Sequence, residues 1–151
     1  MANLKKLKYL RNNTGVSIAL CNKALTESKD DLEKAKTLLQ KWGLELADKK
    51  QGRLTSNGVV SSYVHHNKRV GSMIVLCCET DFVASNKDFI ALAYNLAMQI
   101  ASMKPKNVKD LLKQKYIKDS DISVADLIKQ YITKLGENIK ISEFTRFDIQ
   151  S

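Results

Sequence analysis

Four side chains that commonly bind zinc fall near one another in this 151-residue sequence, His65-His66 and Cys77-Cys78. The intervening residues read as a β-hairpin, with strands near Val59–His66 and Val70–Cys78 and a turn at Asn67-Lys68-Arg69. That turn pairs His66 with Val70 and His65 with Gly71. Cys77 then lies roughly 20 Å further along at ~3.4 Å per residue, and adjacent strand residues point to opposite faces. No metal site and no cofactor are expected. Six scattered glycines form no phosphate-binding loop, and GxSxG and HExxH are absent. No nucleophile, base and metal set can be assembled, so the chain is not expected to be an enzyme.

A different pattern stands at Glu79-Thr80-Asp81-Phe82-Val83, where an acid and a large aromatic sit side by side between an apolar strand and a capped helix. Two readings are open. Phe82 can turn inward as a staple over the helix entry, with Asp81 favouring the positive end of that helix. Alternatively the pair is an exposed aromatic anchor with a charged neighbour, the composition of a protein-interface hot spot.

Several elements must position these residues. Leu4, Leu7 and Leu10 make a helical stripe that ends at Asn12-Asn13-Thr14-Gly15. Ser17 caps a second helix carrying Ala19, Leu20, Ala24 and Leu25. Asp30 with Glu33 resembles a capping box for a third, with Leu32, Ala35, Leu38, Leu39 and Trp42, and Gly43 is placed to stop it. After the hairpin, Ser85 and Asp88 have N-cap and N3 spacing for a helix with Phe89, Leu92, Ala93, Leu96, Ala97 and Ile100 on one face. Pro105 ends that unit, and Val108, Leu111, Leu112 and Tyr116 suggest a shorter helix. Ser123 with Asp126 opens another, stopped by Gly136. The segment Ile139–Ile149 reads as a final strand whose alternation slips between Ile141 and Phe147, which predicts a bulge. The fold expected is α+β: a three-helix head over residues 1–54 and a core over 55–151 with a small, mostly antiparallel sheet.

Composition narrows the class further. Net charge is +9, with 12 basic against 6 acidic side chains in residues 1–53. Such an excess suits a polyanionic partner, and a basic RNA-binding protein is the alternative function. Against it, the head has few aromatics for base stacking and no RNA-recognition motif. Three cysteines, two of them adjacent, cannot build a disulfide framework, so a reducing compartment is expected. No window reaches the ~18 apolar residues of a membrane span. The start at Met1 shows no apolar stretch of secretory type. A cytoplasmic location is expected.

Thr80-Asp81-Phe82-Val83, followed by Ala84 and Asn86, resembles the TDFV signature of the elongation factor Ts family. Leu10–Gly15, Cys21 and Lys23-Ala24-Leu25 are similar to that family's opening signature. Glu33-Lys34-Ala35, Lys49-Lys50 and Gly52-Arg53 continue it, and Leu135-Gly136-Glu137-Asn138-Ile139 with Arg146-Phe147 resemble its closing strand. The resemblance implies a ubiquitin-associated-like head followed by a core carrying the TDFV loop. It also implies a function, guanine-nucleotide exchange on elongation factor Tu in its GDP-bound and nucleotide-free forms. On this basis Asp81 and Phe82 form a wedge that disturbs the partner's magnesium and phosphate site, with Thr80 and Val83 shaping the loop. Docking of the head falls to Ile18, Ala19 and Lys23, although Ile18-Ala19-Leu20 stands where the family commonly has two methionines and an acid. No nucleic acid and no cofactor are required.

A homodimer is expected on separate grounds. The hairpin as read above places Val60, Val64, Val70, Ile74, Leu76 and Cys78 on one face and Val59, Tyr63, Met73, Val75 and Cys77 on the other. Both faces are apolar, whereas a sheet with one wet face should alternate. About three helical segments follow, enough to cover one face, and a second copy can cover the other unless the tail strand or the Val108–Ile117 segment does so.

Overall fold

Residues 3–150 are described by a computed structural model; Met1, Ala2 and Ser151, and with them the first two residues on which the absence of a secretory start was read, lie outside it. Three helices lead, α1 (Leu4–Thr14), α2 (Ile18–Glu27) and α3 (Leu32–Lys50). A hairpin of β1 (Asn57–Val64) and β2 (Val70–Cys78) follows, then a single turn α4 (Asp81–Ala84) and the long α5 (Lys87–Met103). The rest is α6 (Val108–Lys113), a ribbon of β3 (Lys115–Tyr116) and β4 (Asp119–Ser123), α7 (Val124–Leu135) and β5 (Ile139–Asp148).

Local chemistry accounts for the helix ends. Asn3 and Ser17 cap α1 and α2 through their side-chain oxygens, and Gly15 closes α1 at φ +69°. The cap of α3 is Asp31 rather than Asp30, because Lys29 and Asp30 both take left-handed backbone in the turn; Asp31 accepts from the N–H groups of Glu33 and Lys34. Ser123 and Asp126 form the expected capping box of α7, and Gly136 ends that helix at φ +79°. Asn86, not Ser85, caps α5, accepting from Asp88 and Phe89; Ser85 instead ends α4.

Gly43 does not stop α3, which runs on to Lys50. A glycine inside a helix costs about 1 kcal/mol relative to alanine. Here close approach explains it. Gly43 is buried against α7, where the Thr133 hydroxyl donates to the Gly43 carbonyl at 2.8 Å and would stand 3.2 Å from an added Cβ. The helix therefore serves two hydrophobic clusters. Ala35 and Leu39 pack with Leu10, Cys21 and Leu25, while Ala47 packs with the larger cluster of the sheet.

The main sheet is antiparallel, in the order β1-β2-β5. Its hairpin register is one residue from the sequence reading: Val64 faces Gly71, and the His65 N–H donates to the Val70 carbonyl at 2.9 Å. Because strand side chains alternate, this shift exchanges the faces of β1. Val59 and Tyr63 lie on the covered face with Ile74, Leu76 and Cys78, and Val60 and Val64 lie on the outer face with Met73, Val75 and Cys77. The bulge in β5 is present, between the pairs Val75–Glu143 and Leu76–Ile141.

Phe89, Leu92, Leu96 and Ile100 of α5 fill the covered side, joined by Leu111, Val124, Ile128, Ile132, Ile139 and Ile141. Tyr116 is buried on β3 rather than on a helix. The ribbon satisfies a buried amide, since Gln99 donates to the Lys115 carbonyl at 2.9 Å and accepts from the Ile117 N–H at 2.8 Å.

Candidate functional site

Glu79 to Val83 do not form an open loop. Thr80 is the N-cap of α4, and its hydroxyl accepts from the Val83 N–H at 3.4 Å. One turn of helix sorts the side chains by direction. Val83 is buried in the main core, whereas Asp81 is exposed and Phe82 is 85% exposed. The inward staple is thereby excluded for Phe82; Val83 takes the inward position.

The base of this turn is heavily bonded. Glu137, just beyond the Gly136 cap of α7, accepts from the N–H groups of Glu79 at 3.1 Å and Thr80 at 2.9 Å, and from the Thr80 hydroxyl at 2.6 Å. In return Glu79 accepts from the Asn138 N–H at 2.6 Å, and its side chain lies 3.7 Å from Arg53. Asn138 is buried and donates to the carbonyls of Gln51 and Arg53. The Cys78 thiol donates to the Thr80 carbonyl. Sequence reasoning assigned no role to Glu137 or Asn138. A signal was present, however, because a carboxylate directly after a helix C-cap faces the negative end of the dipole and needs donors from elsewhere.

Cys78 shows the same surroundings. Burial above all pushes its thiol up to about 11, and the Glu137 carboxylate adds to the shift. The folded chain holds this proton more tightly than an unfolded thiol at 9.0, so the stability involved is present below pH 9 and is lost as pH rises towards 11. At pH 8 only roughly one part in a thousand of Cys78 is thiolate. Cys78 and the buried Cys21, whose thiol is also raised by burial, should resist iodoacetamide at pH 8 in the folded chain and react in guanidinium, as mass spectrometry can read.

The second set of predicted residues lies on α2. Ile18 is 48% exposed at the first turn and Ala19 beside it is exposed. Lys23 is exposed one turn on, its ammonium 5.0 Å from the centre of the Trp42 ring. Thus Ile18, Ala19 and Lys23 share one helix packed on α1 and α3, while Asp81, Phe82 and Val83 share α4, capped by Thr80 and packed on β1, β2 and α5. Among the described residues no group of three or more His, Cys, Asp or Glu side chains is placed to hold a metal ion, and no helix is long and apolar enough to cross a membrane.

By class, then, this is an α+β protein whose exposed candidate residues are set on a braced helical turn and on a small helical head. A family model described as "Elongation factor TS" matches residues 79–151. The elongation factor Ts of Thermotoga neapolitana is 38% identical over an alignment 186 positions long, gaps included, which covers 95% of this chain and 94% of that one. That of Petrotoga mobilis is 35% identical, covering 97% and 98%. A longer relative, the elongation factor Ts of Clostridium botulinum, is 42% identical over 149 residues, 99% of this chain but 48% of its own length. The chain belongs to the elongation factor Ts family.

Proposed function

We propose that this chain is a guanine-nucleotide exchange factor for elongation factor Tu, acting in the cytoplasm. The observation that carries the reading is Phe82, a large aromatic 85% exposed beside an exposed carboxylate on a turn whose base is hydrogen-bonded on several sides. The unit of residues 1–54 docks on the partner through Ile18, Ala19 and Lys23. The unit of residues 55–151 presents Asp81 and Phe82 as a wedge at the partner's magnesium and phosphate site. No bond is made or broken in this process. A protein that binds the nucleotide-free partner more tightly than the GDP-bound one must lower nucleotide affinity by the same free energy. Release of labelled GDP from elongation factor Tu is the test. Catalytic amounts of the chain should accelerate it, and an unchanged release rate would sink the proposal.

The outer sheet face supports a homodimer as part of this reading. Val60 is 62% exposed, Val64 57%, Met73 47% and Phe147 71%. The tail strand β5 joins the edge of the sheet, and Leu111 of α6 is buried in the main core, so neither segment covers these residues. Fully burying an apolar side chain of this size gains about 1.5–3 kcal/mol, and a two-fold axis lets each copy cover the other. Sedimentation at micromolar concentration should show twice the 17.0 kDa chain mass, and Val60→Glu should return it to a monomer. A native chain sedimenting at 17.0 kDa excludes the dimer.

A further inference from the structure

We infer that Glu137 is a positioning residue for nucleotide exchange: it fixes the turn that carries Phe82 without touching the partner itself. The inference rests on the wedge reading above. Its geometry does not. A carboxylate accepts up to about four hydrogen bonds, and Glu137 spends three of its sites on two consecutive residues, Glu79 and Thr80. The Thr80 hydroxyl passes the constraint on. It donates to Glu137 at 2.6 Å and accepts from the Val83 N–H at 3.4 Å, so the carboxylate is linked to the first turn of α4 through one oxygen.

The connection is reciprocal. Glu79, one residue before the cap, accepts from the Asn138 N–H at 2.6 Å, one residue after Glu137. The strand end that launches α4 and the helix end that launches β5 are thus tied in both directions. Asn57 adds a third hold, donating to the Glu79 carbonyl at 3.1 Å. This scheme explains how a four-residue helix, too short to be stable alone, holds an apolar ring out in water. The carboxylate fixes from outside the two residues that lead into the turn, and the side chains of Asp81 and Phe82 are left exposed. An exchange factor that must push a side chain into a partner gains from such rigidity, because a mobile turn would lose conformational entropy on every encounter.

Glu137→Gln tests the idea, because it keeps the shape but replaces one acceptor oxygen by an NH2 group that faces donors. The maximal rate of GDP release at saturating chain should fall roughly tenfold, while the concentration for half-maximal effect changes by less than about twofold. Amide hydrogen exchange should quicken at Glu79, Thr80 and Val83, whose N–H groups donate to Glu137 or to the Thr80 hydroxyl, and stay slow at Leu96 and Ile100 in the core. Thr80→Val probes the same contact from the turn and should reproduce the defect, whereas Thr80→Ser should retain most activity. In the double variant Glu137→Gln/Thr80→Val the losses should not multiply.

Native exchange by Glu137→Gln overturns the inference, as do multiplying losses or a core that loses protection together with the turn. Loss of the fold in both single variants also overturns it, since the contact would then be purely structural. Phe82→Ala separates the two levels. Normal exchange by Phe82→Ala removes the wedge reading and this inference with it. A slow Phe82→Ala beside a normal Glu137→Gln removes this inference alone.

Discussion

Phe82→Ala is expected to slow the GDP release that this chain stimulates by at least roughly tenfold, with the thermal melt unchanged. Both halves follow from where the ring stands. Truncating a large aromatic anchor in a well-packed interface commonly costs about 2 kcal/mol or more, and about 1.4 kcal/mol already corresponds to a factor of ten. The melt should not move, because an 85% exposed side chain has little burial to lose. The fold of the turn does not depend on the ring either: Val83 faces the core and Thr80 makes the cap. Single-turnover release of labelled GDP and a melting curve on the same sample decide the matter. Normal exchange would leave Phe82 as an exposed aromatic with no part in the reaction. Asp81→Asn in the same assay should slow release without weakening binding through the head.

Gly58→Ala is expected to destabilise the chain by about 2–3 kcal/mol, lowering the melting temperature by about 5–10 °C. At this position a Cβ would stand 2.3 Å from the Leu76 carbonyl oxygen and 2.9 Å from the Cys77 Cα. Those neighbours are backbone, so no rotamer change can relieve the overlap, and one strand must move away from the other. Gly58 pairs with Cys77 at the start of β1, beside Asn57, whose side chain holds the Glu79 carbonyl. Displacement there also loosens the base of α4, and some loss of exchange should accompany the loss of stability. An unchanged melt would mean that the first pairs of the β1–β2 ladder contribute nothing to the fold.

Much of the local structure was legible from side-chain chemistry acting over three or four residues. Ser17, the Ser123–Asp126 capping box and the left-handed glycines Gly15 and Gly136 act through bonds to their own helices, and all stand where spacing placed them. The bulge in β5 was visible because alternation cannot slip without an extra residue. Where two neighbouring residues can each cap a helix, the cap lies one position from where spacing puts it. Asp31 displaced Asp30 and Asn86 displaced Ser85, each neighbour being able to cap and the turn geometry choosing between them.

Contacts between distant segments decided the rest. Gly43 looks like a helix stop until α7 is seen pressed against it. The hairpin register depends on a turn in which Lys68 takes positive φ, and a shift of one residue sent Val60 and Val64 to the outer face and brought Tyr63 inward. For the candidate site, the residue types at Thr80 to Val83 were evident, but their directions were not. Periodicity cannot orient a single turn, and an isolated Phe fits a core as well as an interface. The base of the turn is held by Glu137, far away in the chain, whose carboxylate accepts from Glu79 and Thr80. Sequence determined which groups could form the turn and its caps, because those bonds are local. Only the packing of α4 against β1, β2 and α5 determined that Val83 goes in and Phe82 goes out.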